Sequence, residues 1–348
     1  MLTTEDFIRK GYFPKELIPP FDTNSLADIL PTILKEDLGK FNPKVSKCSL
    51  HTIPVIKNVR RHMSIPNPLH QIILSKILAD NWSEIESFVL NSKLSLSTPK
   101  IIMGSKRAIT RSYKISQLPV ETIMRSTDSR FMLKTDISRF YSTIYTHSIP
   151  WAYHTKSKAK ARKLDPSLLG NIIDKCVRNT CDGQTLGIPV GPDSSLIIAE
   201  IIGTAIDKKL CEDLVGLKGY RYVDDFYLFF NNVYQAEEAL SKIHSITKDF
   251  ELEINPNKTK IIKLPESIYG TWTSELSLYK FRTAEKEQLS DILYYFSKAF
   301  DYSKQFPNEH VLKYSLARIK KEQVQPNNWP LYESLILKSI VTIQIPLF

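Results

Sequence analysis

From Phe131 onward the spacing of apolar and polar positions alternates between the period of a strand and the period of a helix. "FMLKTD" reads as a strand that ends at Asp136. Directly after it, Ile137, Phe140, Tyr141, Ile144 and Tyr145 fall at i, i+3, i+4, i+7 and i+8, the spacing of a helix face. A basic run and then a loop, "CDGQTLGIPVGPDSS", lead into "LIIAEIIGTAID". That segment is apolar nearly all round and so predicts a buried helix, with Asp193, Ser194 or Ser195 available to cap it. "YRYVDDFYLFF" predicts two strands on either side of Asp224 and Asp225. Ala236, Ala239, Leu240, Ile243, Ile246 and Phe250 then mark an amphipathic helix, "LEI" a short strand, "NPN" a turn and "KTKIIKL" a last strand. The order strand, helices, strand, strand, helix, strand is that of a ferredoxin-like sheet with helices on one face. In such a sheet the first and third strands are neighbours, which predicts that Asp136 meets Asp224 and Asp225 across the intervening chain.

The flanks carry other patterns. Residues 1–50, rich in proline and polar positions with a helical patch at "TNSLADILPTILKEDL", read as an N-terminal extension wrapped on other structure. Residues 51–66 predict an extended segment stopped by the prolines of "SIPNP", and "LHQIILSKILADNW" a helix. From about Thr283 the pattern is helical only. Leu289, Ile292, Leu293, Phe296 and Phe300 make one face, Val311, Leu312, Ser315, Leu316 and Ile319 a second, and "WPLYESLILKSIV" a third helix. The apolar tail "TIQIPLF" needs cover from the protein itself, from a partner or from further sequence, and with the helical region it favours a homo-oligomer.

Composition narrows the class. At 348 residues, 42% hydrophobic and 24% charged, the chain fits two or three globular domains. It has no run of 18 apolar residues and no apolar core near the N-terminus, which points away from membrane and secretory classes. Four irregularly spaced cysteines read as reduced thiols of a cytosolic protein rather than a zinc site. The net charge of +10 points to a polyanionic partner, RNA or DNA. It is concentrated in Lys100, Lys106, Arg107, Arg111 and Lys114, and in Lys156, Lys158, Lys160, Arg162 and Lys163.

Asp224 beside Asp225 is poor chemistry for a plain hairpin, where Asn-Gly or Asp-Gly is favoured. Two carboxylates about 4 Å apart repel by on the order of 4 kcal/mol at an effective dielectric near 20. Three acids on a strand end and a neighbouring hairpin suit a pair of Mg²⁺ ions, which take oxygen ligands and can activate a 3′-hydroxyl while stabilising a leaving pyrophosphate.

These segments together resemble the motifs of reverse transcriptases. "YVDD" after a strand is similar to their third palm motif, "LKTDISRFYSTIYTHSIPW" to the first, "GIPVGPDSSLIIAEI" to the second and "LEINPNKTKII" to the fourth. "RRHMSIPN" resembles the fingers motif that holds the triphosphate. The match in order and spacing runs across about residues 55–265. "FYSTIYTHSIPWA", "GIPVGP" and "GYFPKELIPPF" look most like the bacterial defence-associated branch, of the abortive-infection and unknown-group type. The resemblance implies an α+β right-hand polymerase: extension 1–50, fingers 51–130, palm 131–268 with fingers elements inserted around 150–180, and a helical region 269–348 in place of a usual thumb. It implies a cytoplasmic bacterial enzyme in antiphage defence that uses dNTPs and two Mg²⁺ ions, with Mn²⁺ as a substitute, and that has a structured RNA as a further candidate partner. Some members of the branch make DNA without a template, primed on a protein hydroxyl.

The resemblance makes Asp136 and Asp224 the principal metal ligands and Asp225 the supporting acid, with Ile137 in the same metal set. Arg61 matches the triphosphate-binding arginine. Tyr141 matches the bulky residue whose ring excludes a ribose 2′-hydroxyl, and Lys258, with Lys260 as its competitor, matches the lysine near the leaving phosphate. Gly187, Pro189 and Gly191 shape the second-motif loop as a nucleotide contact. Nucleic-acid contacts are expected at Lys106, Arg107, Lys156, Lys158, Lys160, Arg162 and Lys163. Val190 replaces the Gln usual in retroviral and intron-encoded relatives, and Leu196 stands where a basic residue is expected, which turns the expectation toward unusual priming or untemplated extension. A conventional RNA-templated enzyme, a palm-type RNA polymerase and a nucleic-acid-binding scaffold with a vestigial site are the alternatives.

Overall fold

The computed structural model describes residues 2–17, 21–41, 44–56, 59–163 and 165–344. The chain divides into two compact units, Met1–His51 with Met63–Glu266, and Thr52–His62 with Ser267–Phe348. The extended segment expected at 51–66 is a two-stranded sheet of β1 (Ser49–Ile56) and β2 (Val59–Ile65). The helix Pro68–Asp80 follows, opened by the Asn67 side chain, which accepts from the Leu69 N–H at 3.0 Å. A short ladder joins β3 (Pro99–Lys100) to β4 (Thr110–Arg111).

The centre of the first unit is a four-stranded sheet of β5 (Phe131–Asp136), β6 (Lys218–Tyr222), β7 (Asp225–Phe230) and β8 (Lys260–Lys263), in the order β6-β7-β5-β8 with every pairing antiparallel. As the split order predicts, the first and third strands are neighbours, and their register sets Asp136 opposite Asp225. Side-chain alternation divides the sheet. Leu133, Phe226 and Leu228 join the main core with Ile197, Ile198, Ile201 and Ile202 of the helix Asp193–Asp213, and with Ala236, Ala239 and Ile243 of the helix Val233–Asp249. Met132, Tyr220, Tyr222 and Phe229 pack on the other face with Leu96. The helix expected to be buried is so, its Glu200 included, at 3% exposure.

Several expectations change. The face from Ile137 to Tyr145 does not continue as a helix; only Phe140–Thr143 makes a turn of one, after Arg139 in the left-handed region at φ 45°. Its backbone partners are distant. Ile137 N–H donates to Asp224 O (3.1 Å) and Ser138 N–H to Glu253 O (2.8 Å), while the carbonyls of Tyr141 and Ile144 accept from Ile188 and Gly187 at 2.8 Å each. A continuing helix would need those same carbonyls. "LEI" contributes only a single bridge, Ile254 to Ile137. The tight turn is Val223–Asp224, with Asp225 already the first residue of β7, so the hairpin sits one residue earlier than the paired acids suggest. None of Asp193, Ser194 and Ser195 makes a side-chain cap of the helix they open. The helix Leu169–Thr180, between the basic run and the glycine loop, escaped the apolar pattern.

The N-terminal residues belong to this unit. Thr3 caps a short helix, and Phe7, Ile8 and Tyr12 are buried. Both ends of "GYFP" are pressed against the loop and the start of the long helix. A Cβ on Gly191, at φ +133°, would collide with Pro14 Cγ, and one on Gly11 would meet Asp193 Oδ2 at 2.9 Å. All four cysteines are free thiols.

Beside its strand residues, the second unit is built of helices: Thr271–Leu278, missed by the pattern, then Glu285–Gln305, Val311–Ile319 and Trp329–Gln344. The buried face of the second helix is Gln288, Ile292, Tyr295, Phe296 and Ala299, rotated from the expected one, and Leu289 and Leu293 are exposed. The rotation follows from Gln288, whose amide donates to the carbonyls of Arg282 and Gln323 at 3.0 Å each. The last four residues of the apolar tail lie outside the described residues. Among the described residues no helix is long and apolar enough to cross a membrane.

Candidate active site

The three acids meet at one end of the central sheet. Asp136 closes β5 at 3% exposure, its register partner Asp225 opens β7, and Asp224 lies in the turn between β6 and β7. The turn is held across the sheet by the hydrogen bond from Ile137 N–H to Asp224 O. Asp136 Oδ2 accepts from Lys258 Nζ at 2.6 Å, whereas its buried Oδ1 has no partner. Burial, with Asp136 adding to it, pushes the Asp224 carboxyl above its ordinary range. Burial and then the Asp224 charge push Asp225 up to about 6. Hydrogen bonding to Asp136 raises Lys258 in turn. Three carboxyls and one ammonium therefore leave an excess of negative charge and an orphaned carboxylate oxygen at the same point. That is a set of hard oxygen donors, and it fits a divalent cation. Among the described residues no group of three or more His, Cys, Asp or Glu is already gathered around one ion position. Lys258 stands against Asp136 instead, and Lys260, its competitor in the sequence, pairs opposite Lys134 in the sheet.

Val223, just before Asp224, has φ 62°. A β-branched residue in the left-handed region is strained by about 1–3 kcal/mol and persists only where the surroundings hold it.

Tyr141 lies beside this centre. Its carbonyl accepts from Ile188 N–H in the glycine loop, and burial pushes its phenol up to about 12, countered by the positive charge of Arg111. Arg111 also stands over the Tyr222 ring at 5.5 Å, and its Nε has no partner. The sequence placed Arg111 only in a basic cluster; no local signal ties it to Tyr141. Gly187 (φ +87°) gives the loop its close approach, since a Cβ there would meet Ser142 O at 3.1 Å. Pro189 is buried, Val190 O accepts from Ser64 N–H at 2.8 Å, and Leu196 packs against the main core.

The remaining expected residues are dispersed. Arg61 lies in β2, exposed, in the stretch that groups with the C-terminal helices, where its charge helps to lower the His310 pKa behind burial and Lys313. Lys106 is exposed. Arg107 is bound inward: Nε and Nη2 donate to Asp193 Oδ1 at 3.0 and 2.5 Å, Nη1 to Phe13 O at 2.6 Å, and Nη2 to Gly191 O at 3.2 Å. In the second cluster Lys156 and Lys160 stand over the Trp151 ring at 4.2 and 5.7 Å, and Arg162 Nε donates to Asp165 at 2.7 Å. Lys158 and Lys163 are exposed.

No curated protein matches the chain. Among solved structures it is similar to telomerase from Candida albicans in complex with a fragment of telomeric RNA (11% identity, TM-score 0.42, covering 87% of this chain and 63% of that one). It is also similar to apo telomerase from Candida tropicalis (13%, TM-score 0.42, 86% and 62%) and to that protein truncated of its C-terminal domain (14%, TM-score 0.46, 75% and 60%). The chain thus spans between 60% and 63% of the length of those structures. A family model described as reverse transcriptase (RNA-dependent DNA polymerase) matches residues 53–293, well over half of the chain and including all three acids. The chain belongs to that reverse transcriptase family.

Proposed function

We propose that the chain is an RNA-directed DNA polymerase whose centre is Asp136, Asp224 and Asp225. The observation that carries the reading is Asp136 set opposite Asp225 with its buried Oδ1 unpartnered. Asp136 and Asp224, with Asp225 in support and Ile137 in the same set, would hold divalent ions, Mg²⁺ with Mn²⁺ as a substitute. Such ions, when bound, activate an attacking hydroxyl and stabilise the leaving pyrophosphate. The protein's own groups do the rest. Lys258, already on Asp136 at 2.6 Å, is within reach of any phosphate that replaces the carboxylate as its partner. Tyr141, held through its carbonyl by the loop at Ile188, would present its ring to the sugar and select dNTPs. Gly187, Pro189 and Gly191 keep the loop close beneath the nucleotide.

In the finer reading the enzyme is a bacterial, cytoplasmic antiphage protein that adds dNMPs to a 3′ or a protein hydroxyl. Val190 in place of Gln, Leu196 in place of a basic residue, and the helical C-terminal unit support synthesis with unusual priming. Incubating the purified chain with Mg²⁺ and each labelled dNTP, beside an Asp224→Ala control, tests both levels. Incorporation that vanishes in the control is expected. Label that stays with the protein after denaturation, with no primer or template added, supports protein priming. Label that needs an annealed RNA template and primer supports conventional copying. No incorporation under either condition removes the polymerase reading.

A further inference from the structure

The strained turn that carries Asp224 rests on a buried ion cluster that lies outside the three acids. Arg221 is wholly buried in β6, and it is flanked by Glu200 and Asp207, at 3% and 0% exposure, from the helix Asp193–Asp213. Its Nη2 donates to Glu200 Oε1 at 2.7 Å, and its Nε donates to both Asp207 oxygens at 2.8 and 2.9 Å. Its remaining nitrogen, Nη1, donates to Val223 O at 2.8 Å. The other backbone group of Val223 is held from the opposite side: its N–H donates to Ser97 Oγ at 2.8 Å, and that hydroxyl donates to Glu200 Oε2 at 3.0 Å. Ser92 Oγ donates to Asp207 Oδ2 at 2.5 Å, and the backbone between Ser92 and Ser97 runs along β6, with Arg221 N–H donating to Leu94 O and Leu96 N–H to Arg221 O, both at 2.8 Å. Gly203 completes the socket, since a Cβ there would meet the guanidinium carbon at 2.5 Å.

Both polar groups of one residue, the one residue of the turn with positive φ, are thus tied to a single connected network. A buried Arg–Glu–Asp cluster is a poor source of stability compared with apolar packing, so its use here lies in what it fixes. We propose that Ser97, Glu200, Asp207 and Arg221 are positioning residues, which hold Val223 in the left-handed conformation and so aim Asp224 at the bound ions. The inference rests on the reading of Asp224 as a metal ligand. Groups that orient a ligand from behind typically matter by about 10- to 100-fold in metal affinity.

Ser97→Ala is the sharpest test, because it removes one hydroxyl and leaves the charged cluster in place; Ser97→Thr restores the hydroxyl. Three readouts on the full chain are needed: hydrogen exchange of the segment from Arg221 to Asp225, Mn²⁺ affinity by electron paramagnetic resonance, and kcat and KM for dNTP incorporation, with the melting temperature as a folding control. The expected result is faster exchange at Val223, Mn²⁺ binding weakened by about tenfold or more, and kcat lowered with dNTP KM within about twofold, all reversed by Ser97→Thr. Unchanged exchange, unchanged Mn²⁺ affinity, or failure of Ser97→Thr to restore them in folded protein overturns the proposal. If wild type binds no Mn²⁺ and Asp224→Ala matches it, the metal reading itself falls and takes this inference with it. If wild type binds and only the Ser97 effect is missing, this inference falls alone.

Discussion

At the scale of single residues, the chemistry of the site is set by what each side chain lacks. Asp136 has a buried oxygen without a donor, Asp224 and Asp225 are held above their ordinary range by burial, and Arg111 keeps a buried Nε without an acceptor. Tyr141 is anchored through its carbonyl, which accepts from Ile188 N–H, and the Arg111 and Asp224 charges both act on its phenol, which keeps the ring beside the acids. Tyr141→Val should therefore raise ribonucleotide use relative to deoxynucleotide use by about tenfold or more, the scale on which one steric group in a pocket discriminates. Competition assays with matched rNTP and dNTP measure that ratio. A ratio equal to the wild type's would remove Tyr141 as the sugar filter.

At the scale of elements, one guanidinium joins three segments. Arg107 binds the N-terminal stretch at Phe13, the glycine loop at Gly191 and the start of the long helix at Asp193. Asp193 is 5% exposed, so Arg107→Ala leaves an uncompensated buried carboxylate and should cost about 3 kcal/mol in urea unfolding. Adding Asp193→Asn to that variant should recover a large part of the loss, and simple additivity of the two substitutions would show that the pair is not coupled. The central sheet is legible in the sequence because its strands carry their own alternation and because Asp136, Asp224 and Asp225 break local rules where the strands end. The turn after Asp136 is not legible, because the backbone partners of Ile137, Ser138, Tyr141 and Ile144 lie at residues 224, 253, 188 and 187, and no local spacing encodes them. Gln288 misdirects for a related reason. It looks polar and solvent-facing, yet carbonyls from two loops satisfy it in the core. The clamp on Val223 is likewise hidden, since Arg221, Glu200 and Ser97 read singly as a strand residue, a break in an apolar helix and a loop serine.

At the scale of the whole molecule, the excess positive charge of +10 favours a polyanion, but its members are not equivalent. Lys158 and Lys163 are exposed, whereas Arg107 is consumed within the fold. In a plot of log affinity for an RNA–DNA duplex against log salt, Lys158→Ala should reduce the slope by about 1 if it meets a phosphate, and Arg107→Ala should leave the slope unchanged. The opposite pattern would exchange their roles. The packing of Gly11 on Asp193 and of Pro14 on Gly191 has a further consequence, which concerns time. On the ribosome these early residues meet their partners only after roughly 180 more have been made, a wait of roughly 10–35 s at about 5–20 residues per second. Part of the stretch is covered much sooner, Ile8 by Ala27, Leu30 and Ile72, so the contacts of one short segment form at well-separated times. The seam between this stretch and the loop at Gly191 is thus a late join, closed only after the contacts around Ile8 can already have formed.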